Sequence, residues 1–370
     1  MTGTARYKVI YETLKGEILG GKYSSAKSFP SSVALARRFR TTRATIRRTF
    51  DQLRAAGRIC TRQGSGTVVT KRGRSRKIGL IVPGVTYSEI FPSIVGEVSR
   101  IAQDRGFMLF LGDVSAKRPE EQVRQVRSFV RKLLDEGVSG VIFQPIELIR
   151  DAESVNSEVL CELDGAGVPV VLLDCAATPG RTAHDVVGIN NFEAGRNVAL
   201  HLLDGGARNF VFVMNPYSDQ SIQLRYLGAE GAVLAAGGQF KSMHLDPHDA
   251  KAVKRLLGLR PRPDAVICRN DTIAAHLIVA LRRLGKSVPD DVKVSGFNDV
   301  SCATLVEPGV TTIRIPSRDI ARKAFERLLD RIETPAQPPC DCYLPAPLVI
   351  RGSTRGNQPK VGGQASRARA

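Results

Sequence analysis

The chain has 370 residues, with 54 lysines and arginines against 36 aspartates and glutamates, so its formal net charge is +18. This length is too great for one ordinary domain, and 42% hydrophobic with 24% charged residues is a globular rather than a disordered composition. The absence of a run of about 20 apolar residues argues against a membrane span, and the polar N-terminal stretch argues against a secretory signal. Because the seven cysteines are odd in number and scattered, we expect a reduced, cytoplasmic protein without membrane contact.

The positive charge is concentrated near the N-terminus. Residues 1–77 hold nineteen basic and three acidic residues, a net charge of +16, whereas residues 78–354 carry a net charge of −2. Residues 355–370 carry +4 and are polar and rich in glycine, which predicts a disordered basic tail. A small basic module on a near-neutral body is typical of nucleic-acid binding.

Three helices are predicted at the start of the chain. The first ends at Gly20-Gly21, Ser31 or Ser32 can cap the second, and Thr42 can cap the third. The third helix has Ile46, Phe50 and Leu53 on one apolar face. Arginines and small polar residues at its start are typical of the recognition helix of a helix-turn-helix, in which arginine binds guanine in the major groove.

A hairpin follows the third helix. Strands are predicted at 59–62 and 67–69, around Gln63-Gly64-Ser65-Gly66. Glycines let such a wing approach the DNA backbone closely, and Arg62 supplies positive charge. These glycines join two strands rather than a strand and a helix, so a nucleotide-binding loop is not predicted.

Residues 6–70 resemble the winged helix of the GntR family. The resemblance rests on Phe29-Pro30-Ser31, on residues 42–48, on Gly57 and on residues 63–67. It implies that the start of the third helix contacts the major groove and that the hairpin tip forms the wing. The candidate DNA-binding residues are Thr42, Arg43, Ala44, Thr45, Arg47, Arg48, Arg62, Gln63 and Gly64.

Beyond residue 77, apolar strands alternate with amphipathic helices. Strands are predicted at 78–82, 107–111, 138–143, 168–173, 186–189, 210–213, 265–268 and 292–297, and helices lie between most of them, for example at 91–105, 119–136, 193–204, 220–236 and 272–284. This alternation predicts an α/β fold with parallel sheets covered on both faces. About 280 residues are enough for two such lobes.

Polar and aromatic residues follow the predicted strands, at the edge where parallel sheets bind ligands. They are Tyr87-Ser88-Glu89, Phe91, Gln144, Asp174, Asn190-Asn191, Asn270-Asp271 and Asn298-Asp299. Carboxylates and amides pair with hydroxyl groups and aromatic rings stack on sugars, so this set indicates a polyhydroxylated ligand. The alternative is that aspartate and asparagine end strands because they favour turns and helix caps.

Residues 77–354 resemble the effector-binding region of the LacI/GalR family, whose fold is shared with periplasmic sugar-binding proteins. Segments 77–83, 168–174, 187–191, 221–225, 268–274, 294–299, 308–312 and 348–354 carry the resemblance. It implies a bilobal sensor whose effector contacts are Tyr87, Glu89, Phe91, Asp174, Arg225, Asp271 and Asn298, with Arg225 and Asp271 foremost. Asn190 and Asn298 replace a usual aspartate, which weakens the case for a common neutral hexose.

The combination resembles the AraR-like regulators, which join a GntR winged helix to this sensor. It implies a winged helix-turn-helix at 1–69, a linker at 70–77, a sensor at 78–354 and a tail at 355–370. We expect a homodimeric repressor that binds a double-stranded DNA operator, with its affinity controlled by a small effector, such as a sugar, bound between the two lobes.

Other functions are weighed against this one. A regulator fused to an enzyme would need a cofactor lysine or a phosphate cradle, and neither is visible; a sensor that no longer binds a sugar also stays open. A transport-associated sugar-binding protein would have no use for a winged helix. The dispersed histidines and the isolated Cys340-Asp341-Cys342 match no known motif, so no catalytic residue, metal or cofactor is predicted.

Overall fold

The structure is a computed structural model that describes residues 3–19, 22–23, 29–55, 58–62, 66–69, 76–85, 88–116, 118–147, 149, 151–177, 183–215, 220–335 and 337–355. It divides into two units. The first comprises Met1–Gly188 and Ser317–Tyr343, and the second comprises Ile189–Pro316 and Leu344–Ala370. None of the helices in these described ranges is long and apolar enough to cross a membrane.

The N-terminal head belongs to the first unit. It consists of α1 (Gly3–Leu19), α2 (Ser32–Arg38), α3 (Arg43–Ala55), β1 (Ile59–Arg62) and β2 (Gly66–Val69). One apolar cluster joins these elements, and it contains Ile10, Leu14, Ile18, Phe29, Leu35, Ile46, Phe50, Leu53, Ile59 and Val69. The strands are antiparallel, with Ile59 opposite Val69. A three-helix core with a hairpin is the architecture that the sequence predicts.

The remaining described elements continue the alternation of strands and helices. They are β3 (Lys77–Val82), α4 (Phe91–Asp104), β4 (Met108–Asp113), α5 (Pro119–Glu136), β5 (Gly140–Phe143), α6 (Ala152–Gly165), β6 (Val170–Leu173), β7 (Asp185–Ile189), α7 (Asn191–Asp204), β8 (Asn209–Val213), α8 (Gln220–Ala235), β9 (Gln239–Met243), α9 (Ala250–Leu257), β10 (Ala265–Cys268), α10 (Asp271–Arg283), β11 (Lys293–Asn298), α11 (Cys302–Leu305), β12 (Thr311–Arg314), α12 (Ser317–Glu333), β13 (Asp341–Leu344) and β14 (Leu348–Val349).

Each unit contains a six-stranded sheet in which neighbouring strands are mostly parallel. The first sheet has the order β13-β7-β6-β5-β3-β4, and the second has the order β14-β12-β11-β10-β8-β9. In the second sheet only the pairing of β12 with β14 is antiparallel among the registers described. Their central strands are buried, because helices pack on both faces. The α/β prediction with two parallel-sheet lobes is confirmed.

The structure differs from the sequence expectation at two positions near the N-terminus. The helical spacing of Val9, Ile10, Leu14, Ile18 and Leu19 predicts one apolar face for the first helix. Val9 is nevertheless 61% exposed, because the buried stripe of α1 runs through Ile10, Leu14 and Ile18 and Val9 lies beside it. Lys77, placed in the predicted linker, is already the first residue of β3. It pairs with Met108, and its Nζ donates a hydrogen bond of 2.5 Å to Glu136. Residues 70–75 of the linker and 356–370 of the tail lie outside the described residues.

A buried ion cluster fixes α12 to the first sheet. Asp185, at the start of β7, is fully buried and accepts hydrogen bonds from Arg331 Nη2 at 2.6 Å and from Arg327 Nη2 at 2.9 Å. The backbone N–H of Cys340 also donates to this carboxylate, at 2.8 Å. Burial opposes ionisation of Asp185, but the bonds from Arg331 and Cys340 outweigh it and lower its pKa. Asp185 is therefore held as a carboxylate.

Candidate nucleic-acid interface and effector site

The recognition helix is positioned by caps and by its apolar face. Ser31 Oγ accepts a hydrogen bond from Ala34 N at 3.2 Å and so caps α2. Thr42 Oγ1 accepts one from Thr45 N at 3.3 Å, so Thr42 caps α3 as predicted. Ile46 and Leu53 are fully buried against the rest of the head, which fixes the rotation of α3 about its own axis. The opposite face of α3 is therefore presented to solvent.

The exposed face of α3 carries the predicted groove contacts. Arg43, Ala44 and Arg47 are exposed, and Thr45 is half-buried. No carboxylate of the described residues forms an ion pair with Arg43 or Arg47, so both guanidiniums are available to an external anion. Arg48 differs, because its guanidinium lies 4.4 Å from the ring centre of Tyr7 in α1. Arg48 was predicted as a groove contact, and this stacking shows that it also supports α1.

The predicted wing is only partly described. Strands β1 and β2 pair along their full length, and Arg62 stands opposite Gly66 at the end of the ladder. The backbone of Arg62 therefore lies beside the hairpin tip. The side chain of Arg62 and the whole of Gln63 and Gly64 lie outside the described residues.

Polar groups of the first unit gather where β3, β5 and β6 end. Ser88 Oγ accepts a hydrogen bond from Phe91 N at 3.2 Å, which places Phe91 at the start of α4 with the half-buried Glu89 just before it. Asp174 follows β6 in the left-handed region, with a φ of 63°. A Cβ at Gly188 would lie 2.8 Å from Asp174 Cα, so only glycine fits beside this turn. Tyr87 lies outside the described residues.

Further residues join this edge without having been predicted as effector contacts. Cys175 Sγ donates a hydrogen bond to Glu147 Oε1 at 3.2 Å, and the buried Gln144 contacts the same sulfur at 3.9 Å through Nε2. Tyr343 of β13 is an electrostatic neighbour of Asp174. Burial and, secondly, the charge of Asp341 raise the pKa of Tyr343. Gln144 could be found from its place after a strand, whereas Tyr343 is far away along the chain.

In the second unit, Arg225 of α8 is a candidate that several contacts hold in place. Its side chain is buried, with 5% exposure, and its Nε donates a hydrogen bond to Asn191 Oδ1 at 2.8 Å. Its Nη1 donates to the carbonyl of Arg269 at 3.3 Å, and the guanidinium lies 4.7 Å from the ring centre of Phe297. These contacts fix the planar fork of donors, which suits a carboxylate or two neighbouring hydroxyl groups.

Close helix packing supports this arginine. A Cβ at Gly195 of α7 would lie 1.9 Å from the carbonyl oxygen of Arg225, and one at Gly228 of α8 would lie 2.0 Å from that of Phe192. Two glycines therefore let the backbones of α7 and α8 touch. Asn191, at the start of α7, is placed by this packing within reach of Arg225.

The other candidates of the second unit also stand at strand ends. Asp271 is fully buried at the start of α10, and its Oδ2 accepts a hydrogen bond from Val300 N at 3.0 Å. Asn298 ends β11 with a φ of 108°, and Asp299 follows with a φ of 56°. Asp299 is bound by Arg314 Nε at 2.6 Å and so closes the turn rather than facing a ligand. Arg225, Asp271 and Asn298 thus belong to one edge of the second sheet.

The turn-and-cap explanation holds for two of the asparagines. Asn190 Oδ1 accepts a hydrogen bond from Glu193 N at 3.0 Å, and Asn270 Oδ1 accepts one from Ile273 N at 3.0 Å. Both side chains therefore cap helices, α7 and α10 respectively. Capping alone accounts for an asparagine after these two strands.

Comparison with known proteins agrees with this architecture. Residues 6–69 match the model of the bacterial regulatory proteins of the gntR family, and residues 199–354 match the periplasmic binding protein-like domain. The chain is a transcriptional regulator that combines a gntR-type head with a periplasmic binding protein-like sensor. It is 26% identical over 364 residues to the arabinose metabolism transcriptional repressor of Geobacillus stearothermophilus, a match that covers 95% of this chain and 98% of that protein.

Two further proteins match about three quarters of the chain. The chain is 25% identical over 295 residues to the ribose operon repressor of Halalkalibacterium halodurans, covering 77% of this chain and 81% of that one. Among solved structures, the transcription regulator GntR from Chromobacterium violaceum matches with 25% identity and a TM-score of 0.61, over 76% of this chain and 100% of that chain. The regulator therefore combines a DNA-binding head with an effector-binding body.

Proposed function

We propose that this regulator is a cytoplasmic repressor, without enzymatic activity, whose operator affinity is controlled by a sugar or sugar derivative. The observation that carries the DNA-binding part is the exposed start of α3, where Arg43 and Arg47 have no carboxylate partner among the described residues. The two relatives are named repressors of arabinose metabolism and of a ribose operon, which supports repression and a sugar effector. Arg225 and Asp271 of the second unit, with Asp174 and Glu89 of the first, are the proposed effector contacts.

The experiment is a binding titration of the full chain on the DNA upstream of its own locus. We expect saturable binding that weakens steeply as salt rises, because each phosphate contact releases counterions. Binding equal to that on an unrelated fragment of the same length would contradict the proposal. A thermal-shift screen of sugars and sugar acids then identifies the effector, because ligands of the folded state raise its stability.

A homodimer is part of the proposal. Leu227 and Leu234 lie two helical turns apart on one face of α8, and they are 49% and 56% exposed. Exposed apolar residues on one face are typical of a protein interface. A Leu227→Asp/Leu234→Asp variant is expected to sediment as a monomer. Leu305→Asp, at an apolar residue of α11 that is 82% exposed, serves as the control and should leave the dimer intact.

A further inference from the structure

A cavity of about 180 Å³ lies within the first unit, where the head meets the sensor. Arg58, which precedes β1, lines it from the head, and Arg76, Arg105 and Phe107 line it from the sensor together with Glu333 at the end of α12. One ordered water needs roughly 15 Å³ of such space, so a polyatomic ligand fits. The cavity is separate from the sheet edges that carry the effector candidates.

The charges around this cavity do not balance. Three arginines and a single carboxylate line the cavity, and that carboxylate, Glu333, is already bound to Lys15 Nζ at 2.5 Å. Within the described part of the chain, no carboxylate forms an ion pair with Arg58, Arg76 or Arg105. An anion that enters the cavity would therefore meet an excess of positive charge.

The excess positive charge is most unfavourable at Arg58, because this side chain is buried. Its side chain is buried, with 4% exposure, and its Nε has no hydrogen-bond partner among the described residues. Tyr11 of α1 is its neighbour, and burial raises the pKa of that phenol although Arg58 opposes the shift. A buried guanidinium without an anion is unfavourable, and a bound anion would remove that cost.

We propose that this cavity binds a small oxyanion, namely inorganic phosphate or the phosphoryl group of a metabolite. Guanidinium groups bind phosphate oxygens through paired hydrogen bonds, and three arginines line this cavity. Because Arg58 belongs to the head and Arg76 and Arg105 to the sensor, the anion would bridge the two beside the ion pair of Lys15 with Glu333. Anion binding and DNA binding would then be coupled reciprocally.

The test uses the full chain and inorganic phosphate, with ionic strength held constant by sodium chloride. Wild type should show a saturable rise in Tm as phosphate increases. The double variant Arg76→Gln/Arg105→Gln removes two exposed guanidiniums and should require at least tenfold more phosphate. Arg118→Gln, at an exposed arginine that does not line the cavity, is the matched control and should behave as wild type.

Two outcomes would overturn the proposal in this assay. One is an identical saturation curve for wild type and the double variant, because the guanidiniums would then not form the site. The other is a rise in Tm that does not saturate and is reproduced by chloride, because that is a general salt effect. Neither outcome bears on operator binding, so the proposed function stands or falls separately.

A second arm distinguishes free phosphate from the phosphates of DNA, which offer the same chemistry. Operator affinity is measured without phosphate in the buffer, where the double variant should stay within threefold of wild type. The slope of operator affinity against salt concentration is then compared between the double variant and wild type. If the slope of the double variant is smaller by the equivalent of about two phosphate contacts, Arg76 and Arg105 bind the DNA backbone, and the proposal is overturned. Added phosphate should change the operator affinity of wild type and of Arg118→Gln, but not that of the double variant.

Discussion

The head and the sensor use arginine in opposite ways. Arg43 and Arg47 on α3 are exposed and form no ion pair within the described residues, whereas Arg327 and Arg331 on α12 converge on the buried carboxylate of Asp185. An exposed guanidinium without an ion pair can bind a transient partner, such as a phosphate or a base edge. The guanidiniums of Arg327 and Arg331 are instead committed to a permanent partner and hold α12 to the first sheet. The difference shows that burial and pairing, rather than residue type, separate the binding surface from the scaffold.

The largest effect is a loss of stability, expected when an ion pair of the buried Asp185 is broken. Arg331→Met leaves Asp185 buried with one of its two guanidinium partners lost, and should lower the free energy of unfolding of the first unit by about 3 kcal/mol. Calorimetric melting of the full chain measures this change. Arg127→Met is the control, because Arg127 pairs with Glu158 at the surface and such pairs contribute less than about 1 kcal/mol. Equal effects of the two substitutions would contradict the comparison.

A smaller effect is expected at Arg225, which is buried like Arg331 but is proposed to serve a ligand. Arg225→Ala should raise the Kd of the effector found by the thermal screen at least 100-fold and leave operator affinity within a few-fold. Arg225→Lys keeps the charge but loses the planar fork, so it should recover only part of the effector affinity. Loss of operator binding by a folded, dimeric Arg225→Ala protein would show that this residue serves the scaffold instead.

The next largest effect is expected on operator binding, when an exposed arginine of α3 is replaced. Arg43→Ala should weaken specific operator binding by about 2 kcal/mol, roughly 30-fold, because one bidentate base contact is lost. Effector affinity should not change. Arg54→Ala is the control on the same helix, because Arg54 lies in the last turn and is already paired with Asp51 at 2.8 Å. Operator titrations of the two variants at one salt concentration decide between a groove contact and a general loss of charge.

The smallest effect is expected within the head, at Glu17. Hydrogen bonds from Arg38 first, and then from Lys22 and Tyr23, outweigh burial and lower the pKa of this carboxyl to about 2. A lowered pKa in the folded state stabilises the head fully above the usual value near 4.5, and the contribution is lost as the pH falls towards 2. Glu17→Gln should therefore cost about 1 kcal/mol at pH 7 and progressively less below pH 4.

Hydrogen exchange of the amides of α1 and α2 measures this local stability in the full chain. Lys22→Gln is expected to have a smaller effect, because Lys22 is more exposed than Glu17 and supplies one of the four side-chain hydrogen bonds that Glu17 accepts. A difference between wild type and Glu17→Gln that stays constant from pH 7 to pH 3 would exclude the carboxylate as its cause.

Much of the fold could be predicted because the buried strands are continuous apolar runs. The strand predicted at 265–268 is observed as Ala265–Cys268, and the helix predicted at 119–136 is observed as Pro119–Glu136. Strand β9 (Gln239–Met243) was missed, because it is an edge strand whose residues are half-buried or exposed and so lack an apolar run. The return of α12 to the first unit was also missed, since no local pattern records which sheet a helix joins.

Prediction of the site residues is limited in the same way, because only contacts within one element leave a pattern in the sequence. The cap at Thr42 and the exposed start of α3 follow from spacing within one helix and could be predicted. The contact of Asn191 with Arg225 joins residues 34 positions apart, and the proximity of Tyr343 to Asp174 spans a still longer separation. Such contacts are created by packing between elements, and a single sequence carries no local signal for them. The direct roles of the candidate residues remain predictions for the experiments above.

The glycine pair at Gly195 and Gly228 has a consequence for anyone who would change what this regulator senses. Because α7 and α8 touch through these two positions, the helix that carries Arg225 has no room to shift when a neighbouring side chain is exchanged. Directed evolution of new ligand preferences should therefore leave both glycines unchanged, together with Asn191 and Phe297, which hold the side chain of Arg225. A library that includes positions 195 or 228 would be filled mainly with proteins that fail to assemble this part of the second unit.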